Sequence, residues 1–316
     1  MKNISFILKV AVTLGVVAWL FTQIDSLHLR TLLGKANLSI LLAGTALTAL
    51  LPILGALRWF FILRYMGMRF ELREIIHWTY IATFFNQLLP ATVGGDGLRV
   101  FFASRNGESL KRLLYSVILD RVAMFISLAI LLMFSAPWFI SQLPSTTLLG
   151  IQALLGSAVI VASVLLMTAD QLPISLSKFP PIKWLGELSQ DARLLFLTVK
   201  SCIVITALSF TSLLIIMVSI WLFVVSFGAV STPAFEFLPL MPPVVAASTL
   251  PISFGGWGTR EVAMVSICAS IGISPEVAIL SSVWLGIASI LTNLPGAALY
   301  LTGKKYQTTK PANVKP

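Results

Sequence analysis

Six apolar stretches dominate this sequence of 316 residues, and each is longer than the roughly 20 residues that a helix needs to cross a bilayer. A helix suits such a stretch because it satisfies its own backbone hydrogen bonds, for which lipid offers no partners. The sequence therefore predicts an all-α, polytopic membrane protein in which residues 1–316 form a single membrane domain. The predicted full-length spans are residues 4–24, 37–57, 113–140, 147–169, 200–228 and 276–302.

The amino-acid composition excludes a water-soluble fold. Hydrophobic residues make up 57% of the chain and charged residues only 11%, whereas soluble domains carry about 25% charged residues. The net charge of +10 is explained by the lysines and arginines that hold the loops of membrane proteins in the cytoplasm. Outside the apolar stretches no basic run carries interleaved aromatic residues, so we expect no nucleic-acid partner.

One motif occurs twice, as LPATVGGDGLR at Leu89–Arg99 and as LPISFGGWGTR at Leu250–Arg260. The copies follow two short apolar runs, residues 75–89 and 237–250, and a helix over either run would reach only about 21–23 Å. Such a helix does not comfortably cross a hydrocarbon core of roughly 30 Å. We therefore predict two re-entrant helical hairpins beside six full spans, with eight full spans as the alternative.

The distribution of lysines and arginines favours the hairpins. With six spans, two hairpins and both termini in the cytoplasm, all but five of the 22 basic residues lie on the cytoplasmic side, as the positive-inside rule requires. Eight full spans would divide the same residues almost evenly between the two sides. The five exceptions are Arg30 and Lys35 on the outer side, and Arg99, Arg121 and Arg260 at membrane depth.

The order span, span, hairpin, span occurs in residues 1–140 and again in residues 147–302, and a polar tail follows at residues 303–316. Because three crossings is an odd number, the second half is predicted to be inverted relative to the first. The two glycine motifs would then meet near the middle of the bilayer, as in secondary transporters built from inverted repeats. The alternative is that the glycines only let helices approach closely.

The residue types in the motif suit an anion. Proline ends the incoming helix, and successive glycines permit positive φ angles and a nest of backbone N–H groups. We expect a new helix to begin near Leu98 or Thr259, with its positive end facing the same space. Arg99 and Arg260 stand in the first turn, where a guanidinium can bind phosphate through two parallel hydrogen bonds. The glycines concerned are Gly94, Gly95, Gly97, Gly255, Gly256 and Gly258.

Neighbouring residues leave the role of the two arginines open. Asp96 lies three residues before Arg99, and Glu261 follows Arg260 directly. Structural ion pairs are therefore the alternative to phosphate binding, because an arginine in lipid needs a partner. Trp257 stands where the first motif has Asp96, so the two sides of the predicted site would differ chemically.

Three further polar residues are candidates for the site. Asp120 and Arg121 interrupt the third apolar span, and because adjacent helical residues point in different directions, we expect them to pair with different neighbours. They suit a coupling role, such as proton carriage by Asp120, and equally an anchor near the cytoplasmic rim. Asn86, just before the first motif, would bond a lipid headgroup or cap loose carbonyl groups.

The sequence offers no recognisable machinery for catalysis. Cys202 and Cys268 lie in apolar runs, and His28 and His77 are far apart, whereas a catalytic zinc site takes about three protein ligands. The nucleotide-binding pattern GxxxxGK(S/T) is absent. We therefore expect no cofactor, no metal and no enzymatic activity. A membrane enzyme acting on a lipid phosphate is one alternative.

With NQLLPATVGGDGLR, LDR and PISFGGWGTRE together, the chain resembles the lysylphosphatidylglycerol synthase transmembrane family, also called flippase-like membrane proteins. In the larger bacterial members a similar membrane region moves an aminoacylated phospholipid between leaflets, and a separate soluble domain performs the aminoacyl transfer. This chain ends with GKKYQTTKPANVKP, so the resemblance implies translocation without synthesis. It also supports as site residues Arg99, Arg260, Asp96, Glu261 and Arg121.

The predicted function is therefore that of a lipid flippase in the bacterial cytoplasmic (inner) membrane. It would move a phosphate-bearing lipid, anionic or aminoacylated, between leaflets, with the phosphate between Arg99 and Arg260. Membrane lipids are the expected partners. The remaining alternative is a non-transporting membrane partner of a lipid-modifying enzyme.

Overall fold

The structure is a computed structural model that describes residues 26–88, 93–142, 146–171, 180–229, 232–249 and 257–302. The regular secondary structure of these ranges is entirely helical, which confirms the predicted all-α class. The span predicted at residues 4–24 and the tail at residues 303–316 lie outside the described residues. The helices are α1 (Ser26–Lys35), α2 (Leu38–Thr48), α3 (Leu50–Tyr65), α4 (Leu72–Leu88), α5 (Val93–Ser104), α6 (Leu110–Gln142), α7 (Thr146–Thr168), α8 (Pro180–Leu197), α9 (Val199–Ser226), α10 (Ala234–Phe237), α11 (Pro242–Thr249), α12 (Thr259–Ser270) and α13 (Pro275–Thr302).

Within the described residues, four helical stretches are long and apolar enough to cross a membrane, and each contains 28 or 29 residues. At about 1.5 Å per residue they exceed the thickness of a hydrocarbon core, so the chain is a multi-pass membrane protein. Helix α7 coincides with the span predicted at residues 147–169, but only the shorter stretch Gly156–Gln171 stands out there as apolar helix. The choice between six and eight spans stays a prediction. The four stretches are Leu38–Tyr65, Leu110–Trp138, Val199–Ser226 and Pro275–Thr302.

The helices around the first glycine motif form a closely packed pair. Helix α4 has 17 residues and reaches about 25 Å, somewhat shorter than a hydrocarbon core of roughly 30 Å. Helix α5 begins at Val93, so the prediction of a start near Leu98 is wrong. At Gly95 an added Cβ would lie 1.9 Å from the carbonyl oxygen of Ala82 on α4. The glycine therefore serves close approach between α4 and α5.

The segment before the second motif is less regular than expected. A continuous helix over residues 237–250 was predicted, and this is wrong, because the run is divided among α10, a 3₁₀ turn at Leu238–Leu240 and α11. The reason lies in Pro239 and Pro242, since a proline in a helix interior removes a backbone hydrogen bond, and each of the two stands in the first turn of a new element. Helix α11 consequently has 8 residues and reaches only about 12 Å.

Helix α12 begins at Thr259, which confirms the predicted start after the second motif. The preceding Gly258 has a φ of +96°, a conformation that glycine adopts without a steric penalty. The hydroxyl of Thr259 donates a hydrogen bond of 3.0 Å to the carbonyl of Ala247. This bond fixes the start of α12 against α11.

The chain divides into two compact units, and each contains one copy of the motif. The Arg99 unit comprises Pro52–Ala123, Ser163–Ser209 and Asn293–Pro316. Each unit takes segments from both predicted halves, and the division into repeat halves at 1–140 and 147–302 stays a prediction. The Arg260 unit comprises Met1–Leu51, Met124–Ala162 and Phe210–Thr292.

Each unit has its own apolar core. In the Arg99 unit, Trp59 on α3 and Leu113 on α6 are completely buried and belong to the same apolar cluster. This cluster joins the two helices, which also carry charged side chains. In the Arg260 unit, Phe223 on α9 is completely buried. Its ring lies close to Gly44 on α2, because a Cβ added to that glycine would be only 2.6 Å from the ring. A small residue at that position therefore lets α2 pack closely on α9.

Candidate functional site

Five charged residues come together in the Arg99 unit, and we refer to them as the arginine–aspartate cluster. They are contributed by α3, α5 and α6. Sequence reasoning singled out four of them and counted the fifth, Arg58, on the cytoplasmic side, just after the span predicted at residues 37–57. The structure places Arg58 inside α3, 6% exposed, so the helix extends beyond the predicted end of that span. The members are Arg58, Asp96, Arg99, Asp120 and Arg121.

Asp120 joins two arginines at the centre of the cluster. Its Oδ1 accepts a hydrogen bond of 2.6 Å from Nε of Arg58, and its Oδ2 accepts one of 3.0 Å from Arg99. Both oxygens of the carboxylate are therefore used by guanidinium groups. Removing this aspartate would leave two buried cations side by side.

Asp96 holds the other side of the cluster. Its Oδ2 accepts two hydrogen bonds from the guanidinium of Arg121, at 3.0 and 2.7 Å. Its Oδ1 lies 3.1 Å from the guanidinium of Arg99. Asp120 and Arg121 thus contact different partners, as their adjacent positions on α6 led us to expect.

The charges of the cluster do not balance. Among the side chains that the structure describes, three arginines face two aspartates, so these five ionised groups sum to one net positive charge. Four of its members are buried, but the side chain of Arg121 is 45% exposed. A buried charge is costly unless it is paired, and Arg121 is the member of the cluster with the most accessible side chain.

The buried arginine at the centre also lacks a full set of hydrogen-bond acceptors. Within the described residues, Nε of Arg99 has no hydrogen-bond partner. The face of its guanidinium lies 4.7 Å from the ring centroid of Trp59, which is a cation–π contact. The indole of Trp59 donates in turn to the hydroxyl of Ser116 at 3.0 Å. This platform fixes the orientation of the arginine.

The glycines of the first motif do not form the expected nest of backbone N–H groups. Gly94, Gly95 and Gly97 lie within α5, so they do not use the positive φ angles that glycine permits. The N–H of Gly95 is already used, because it donates to Oδ1 of Asn86 at 2.9 Å. Asn86 therefore caps an N–H group of α5 from the neighbouring helix, not a carbonyl group as expected.

The arginine of the second motif is paired one to one. Arg260 donates to Oε1 of Glu261 through Nε and a terminal nitrogen, at 3.1 and 2.8 Å. Nε of Arg260 also donates to the hydroxyl of Ser282 at 2.8 Å, and that hydroxyl donates to the same Oε1 at 2.8 Å. The arginine is 8% exposed and the glutamate 2% exposed. This Arg260–Glu261 pair is formally neutral.

Two further contacts hold the pair at the start of α12. The second oxygen of Glu261 accepts the backbone N–H of Gly258 at 2.5 Å, which satisfies a free donor at the helix terminus. The guanidinium of Arg260 lies 5.1 Å from the ring centroid of Trp257. The ring of Trp257 lies close to Gly286, because a Cβ added to that glycine would be only 2.4 Å from the ring. Gly255 and Gly256 lie outside the described residues.

Sequence reasoning missed several residues that only the fold brings next to the charged groups. Trp59 and Ser116 support the cluster, and Ser282 completes the second pair, but each looks like an ordinary member of an apolar helix. Arg58 had a usable signal, because it stands within the apolar run LLPILGALRWFF. A phosphate held between Arg99 and Arg260 stays a prediction.

The described residues include no group of three or more histidine, cysteine, aspartate or glutamate side chains that could hold a metal ion. The carboxylates of both charged groups are engaged by arginines instead. Guanidinium groups held in this way are suited to the recognition of an anion.

Comparison with known proteins adds one finding. The family described as the lysylphosphatidylglycerol synthase TM region matches residues 6–296, a range that includes both glycine motifs and all the charged residues discussed above. No curated protein matches the chain.

Proposed function

The chain belongs to the lysylphosphatidylglycerol synthase transmembrane family, and on this premise we propose that it translocates a phosphate-bearing lipid between the leaflets of a bacterial cytoplasmic membrane. The proposal concerns transport and not lipid synthesis. It is supported by the family and by the multi-pass helical architecture. A lipid headgroup must cross a medium that excludes charge, so a translocator needs a polar place for that group inside its membrane region.

The observation that carries the proposal is the net positive charge of the arginine–aspartate cluster. An anionic phosphate beside Arg121 would neutralise that charge. Arg121 is the member through which such a ligand can enter, because its side chain is 45% exposed. A guanidinium binds phosphate through two parallel hydrogen bonds. Asp96 would then share Arg121 with the ligand, which keeps the interaction reversible.

The two motifs contribute differently to this function. Arg260 is neutralised by Glu261, so its pair offers hydrogen bonds without an excess charge. We assign phosphate binding to the cluster around Arg99, and we assign to the second pair the fixing of α12 at its start. This assignment explains why the first motif has Asp96 where the second has Trp257.

Short helices next to the motifs support the predicted re-entrant hairpins. Helices α4 and α11 reach about 25 and 12 Å, and each is followed by a second helix packed against it. In the proposed mechanism the headgroup passes along the polar side chains of the cluster while its acyl tails stay in the lipid. Movement is driven by the lipid gradient or by an ion gradient.

A liposome assay tests the proposal. The purified chain is reconstituted with fluorescent phosphatidylglycerol, and a membrane-impermeant reductant removes the fluorescence of the outer leaflet. Active protein exposes inner-leaflet lipid, so fluorescence falls below the level of protein-free vesicles. Arg121→Gln should slow the exchange about tenfold, which corresponds to about 1.4 kcal/mol.

Arg105→Gln is the matched control for that variant. Arg105 is an exposed arginine after α5 that stacks on Phe101 at 4.6 Å and lies outside the cluster. It should exchange lipid at the wild-type rate. Exchange by wild-type protein no faster than in protein-free vesicles would contradict the proposed function. An unchanged rate in Arg121→Gln would contradict the role of the cluster.

A further inference from the structure

A second basic site lies at the end of α3, in a part of the Arg99 unit that the proposed function does not use. A cavity of about 490 Å³ is lined there by residues from α3 and from the turn that follows it. Its lining falls wholly within the described residues and contains two arginines but no carboxylate. The lining includes Phe60, Arg64, Gly67, Arg69 and Phe70.

Within the described part of the chain, the two arginines of this cavity have no acidic partner. Among the ion pairs of the described residues, none involves Arg64 or Arg69, and both residues are exposed. A cation in the last turn of a helix is favoured by the helix dipole, which accounts for Arg64. That explanation does not extend to Arg69, which lies beyond the end of the helix.

The backbone holds the two arginines in a defined arrangement. Helix α3 ends with hydrogen bonds from Gly67 N–H to the carbonyl of Arg64, at 3.1 Å, and from Met68 N–H to the carbonyl of Leu63, at 2.9 Å. Gly67 has a φ of +81°, so this is a Schellman motif with a left-handed glycine. The turn reverses the chain directly, which brings Arg69 back to the cavity that Arg64 also lines.

The aromatic walls of the cavity are also anchored. The guanidinium of Arg64 lies 5.8 Å from the ring centroid of Phe60. Phe70 packs edge to face on Trp78 of α4, with centroids 5.6 Å apart. The cavity is therefore lined by two held aromatic rings beside the two arginines. Such a combination suits the phosphate of an amphiphile.

The position of the cavity points to the same ligand. Arg64 lies in the last turn of the apolar stretch Leu38–Tyr65, and the end of a membrane span lies at the level of the phospholipid headgroups. We propose that the cavity binds a phosphate-bearing anion through Arg64 and Arg69, as a site separate from the arginine–aspartate cluster. The phosphate belongs to a lipid headgroup or is free in solution. The proposal does not depend on translocation.

Binding measurements with two probes test this site. Dihexanoylphosphatidic acid and inorganic phosphate are titrated separately into the purified full chain in detergent, and binding is followed by calorimetry. The test variant is Arg64→Gln/Arg69→Gln. The control, Arg105→Gln/Lys200→Gln, removes the same number of charges from exposed positions. All titrations are repeated in an Arg121→Gln background, so that the cluster does not supply the signal.

The test variant should bind at least one probe about tenfold more weakly than wild type in both backgrounds, while the control stays within about twofold. Weakening for phosphatidic acid alone supports a lipid headgroup as the ligand. Weakening for both probes supports a site for the phosphate group itself. Equal binding of both probes by the test variant and wild type overturns the proposal. So does the absence of binding by wild type. A shared thermal unfolding midpoint shows that the variants are folded.

Discussion

Asp120 is the residue on which the stability of the arginine–aspartate cluster depends most strongly. The substitution Asp120→Asn keeps the size of the side chain but removes the negative charge that separates Arg58 from Arg99. The cluster would then contain three arginines and a single aspartate. The variant therefore tests whether this buried carboxylate is needed to tolerate the excess of cations.

The expected cost follows from the two bonds that Asp120 makes. Its contacts to Arg58 and Arg99 measure 2.6 and 3.0 Å and involve side chains less than a tenth exposed. A hydrogen bond to a charged group contributes roughly 1.5–3 kcal/mol, and breaking a buried pair costs about 3–5 kcal/mol. Asparagine retains one acceptor oxygen, so we expect a loss of about 3 kcal/mol in the free energy of unfolding.

A compensating substitution distinguishes lost charge from a general disturbance of the fold. Arg58→Met removes one of the two cations that Asp120 neutralises and keeps an unbranched apolar chain in α3. The double variant Asp120→Asn/Arg58→Met should be more stable than the sum of the two single effects predicts. We expect a coupling energy of about 1–2 kcal/mol between the two sites.

Reversible denaturation of purified protein in mixed micelles gives the free energies for this cycle. Glu71→Gln, which removes an exposed carboxylate of the same unit, is the matched control and should leave stability unchanged. Strict additivity of the two substitutions would refute the reasoning. A loss in Asp120→Asn as small as that of the control would refute it as well, because the buried carboxylate would then be dispensable.

Two further predictions concern packing and the second pair. Gly95→Ala should destabilise the protein by about 1–3 kcal/mol, because the new Cβ would lie 1.9 Å from the carbonyl oxygen of Ala82. Gly97→Ala is its control, since nothing lies within 4 Å of a Cβ there, and equal losses in the two variants would contradict the packing argument. Ser282→Ala should cost about 1–2 kcal/mol, because its hydroxyl bonds Glu261 at 2.8 Å. The denaturation assay measures these losses, and an unchanged unfolding midpoint for Ser282→Ala would count against the proposed link.

The membrane class and the position of the long helices could be predicted from the sequence, because unbroken apolar runs leave a chain few alternatives. Asp120 and Arg121 were also recognisable, since a charge inside such a run stands out. Arg58 was missed because the predicted span ended at residue 57, although the apolar run continues beyond Arg58. Only the fold shows that it turns towards Asp120.

The backbone conformation of the glycine motifs could not be predicted from local sequence rules alone. The pattern predicted a turn through Gly94 and Gly95, but helix α5 already begins at Val93. The reason is tertiary, because Asn86 on the neighbouring helix satisfies the N–H of Gly95. In the second motif, by contrast, Gly258 has the positive φ that the pattern suggested. The two copies of the glycine motif therefore adopt different backbone conformations.

The irregular segment before the second motif was foreseeable in principle. Pro239 and Pro242 stand within the apolar run at residues 237–250, and proline removes a helical hydrogen bond wherever it occurs in a helix interior. Hydrophobicity alone favoured a continuous helix there. The prolines indicated a break there, although proline alone does not decide it, because Pro295 lies inside helix α13.

The most direct test of the central claim is the dependence of lipid exchange on headgroup charge. The rates of fluorescent phosphatidylglycerol and phosphatidylcholine are compared in proteoliposomes of wild type, Arg121→Lys and Arg121→Gln. If the excess positive charge of the cluster holds the phosphate, wild type exchanges the anionic lipid faster, Arg121→Gln loses that preference, and Arg121→Lys retains part of it. The same preference in all three proteins would contradict the claim.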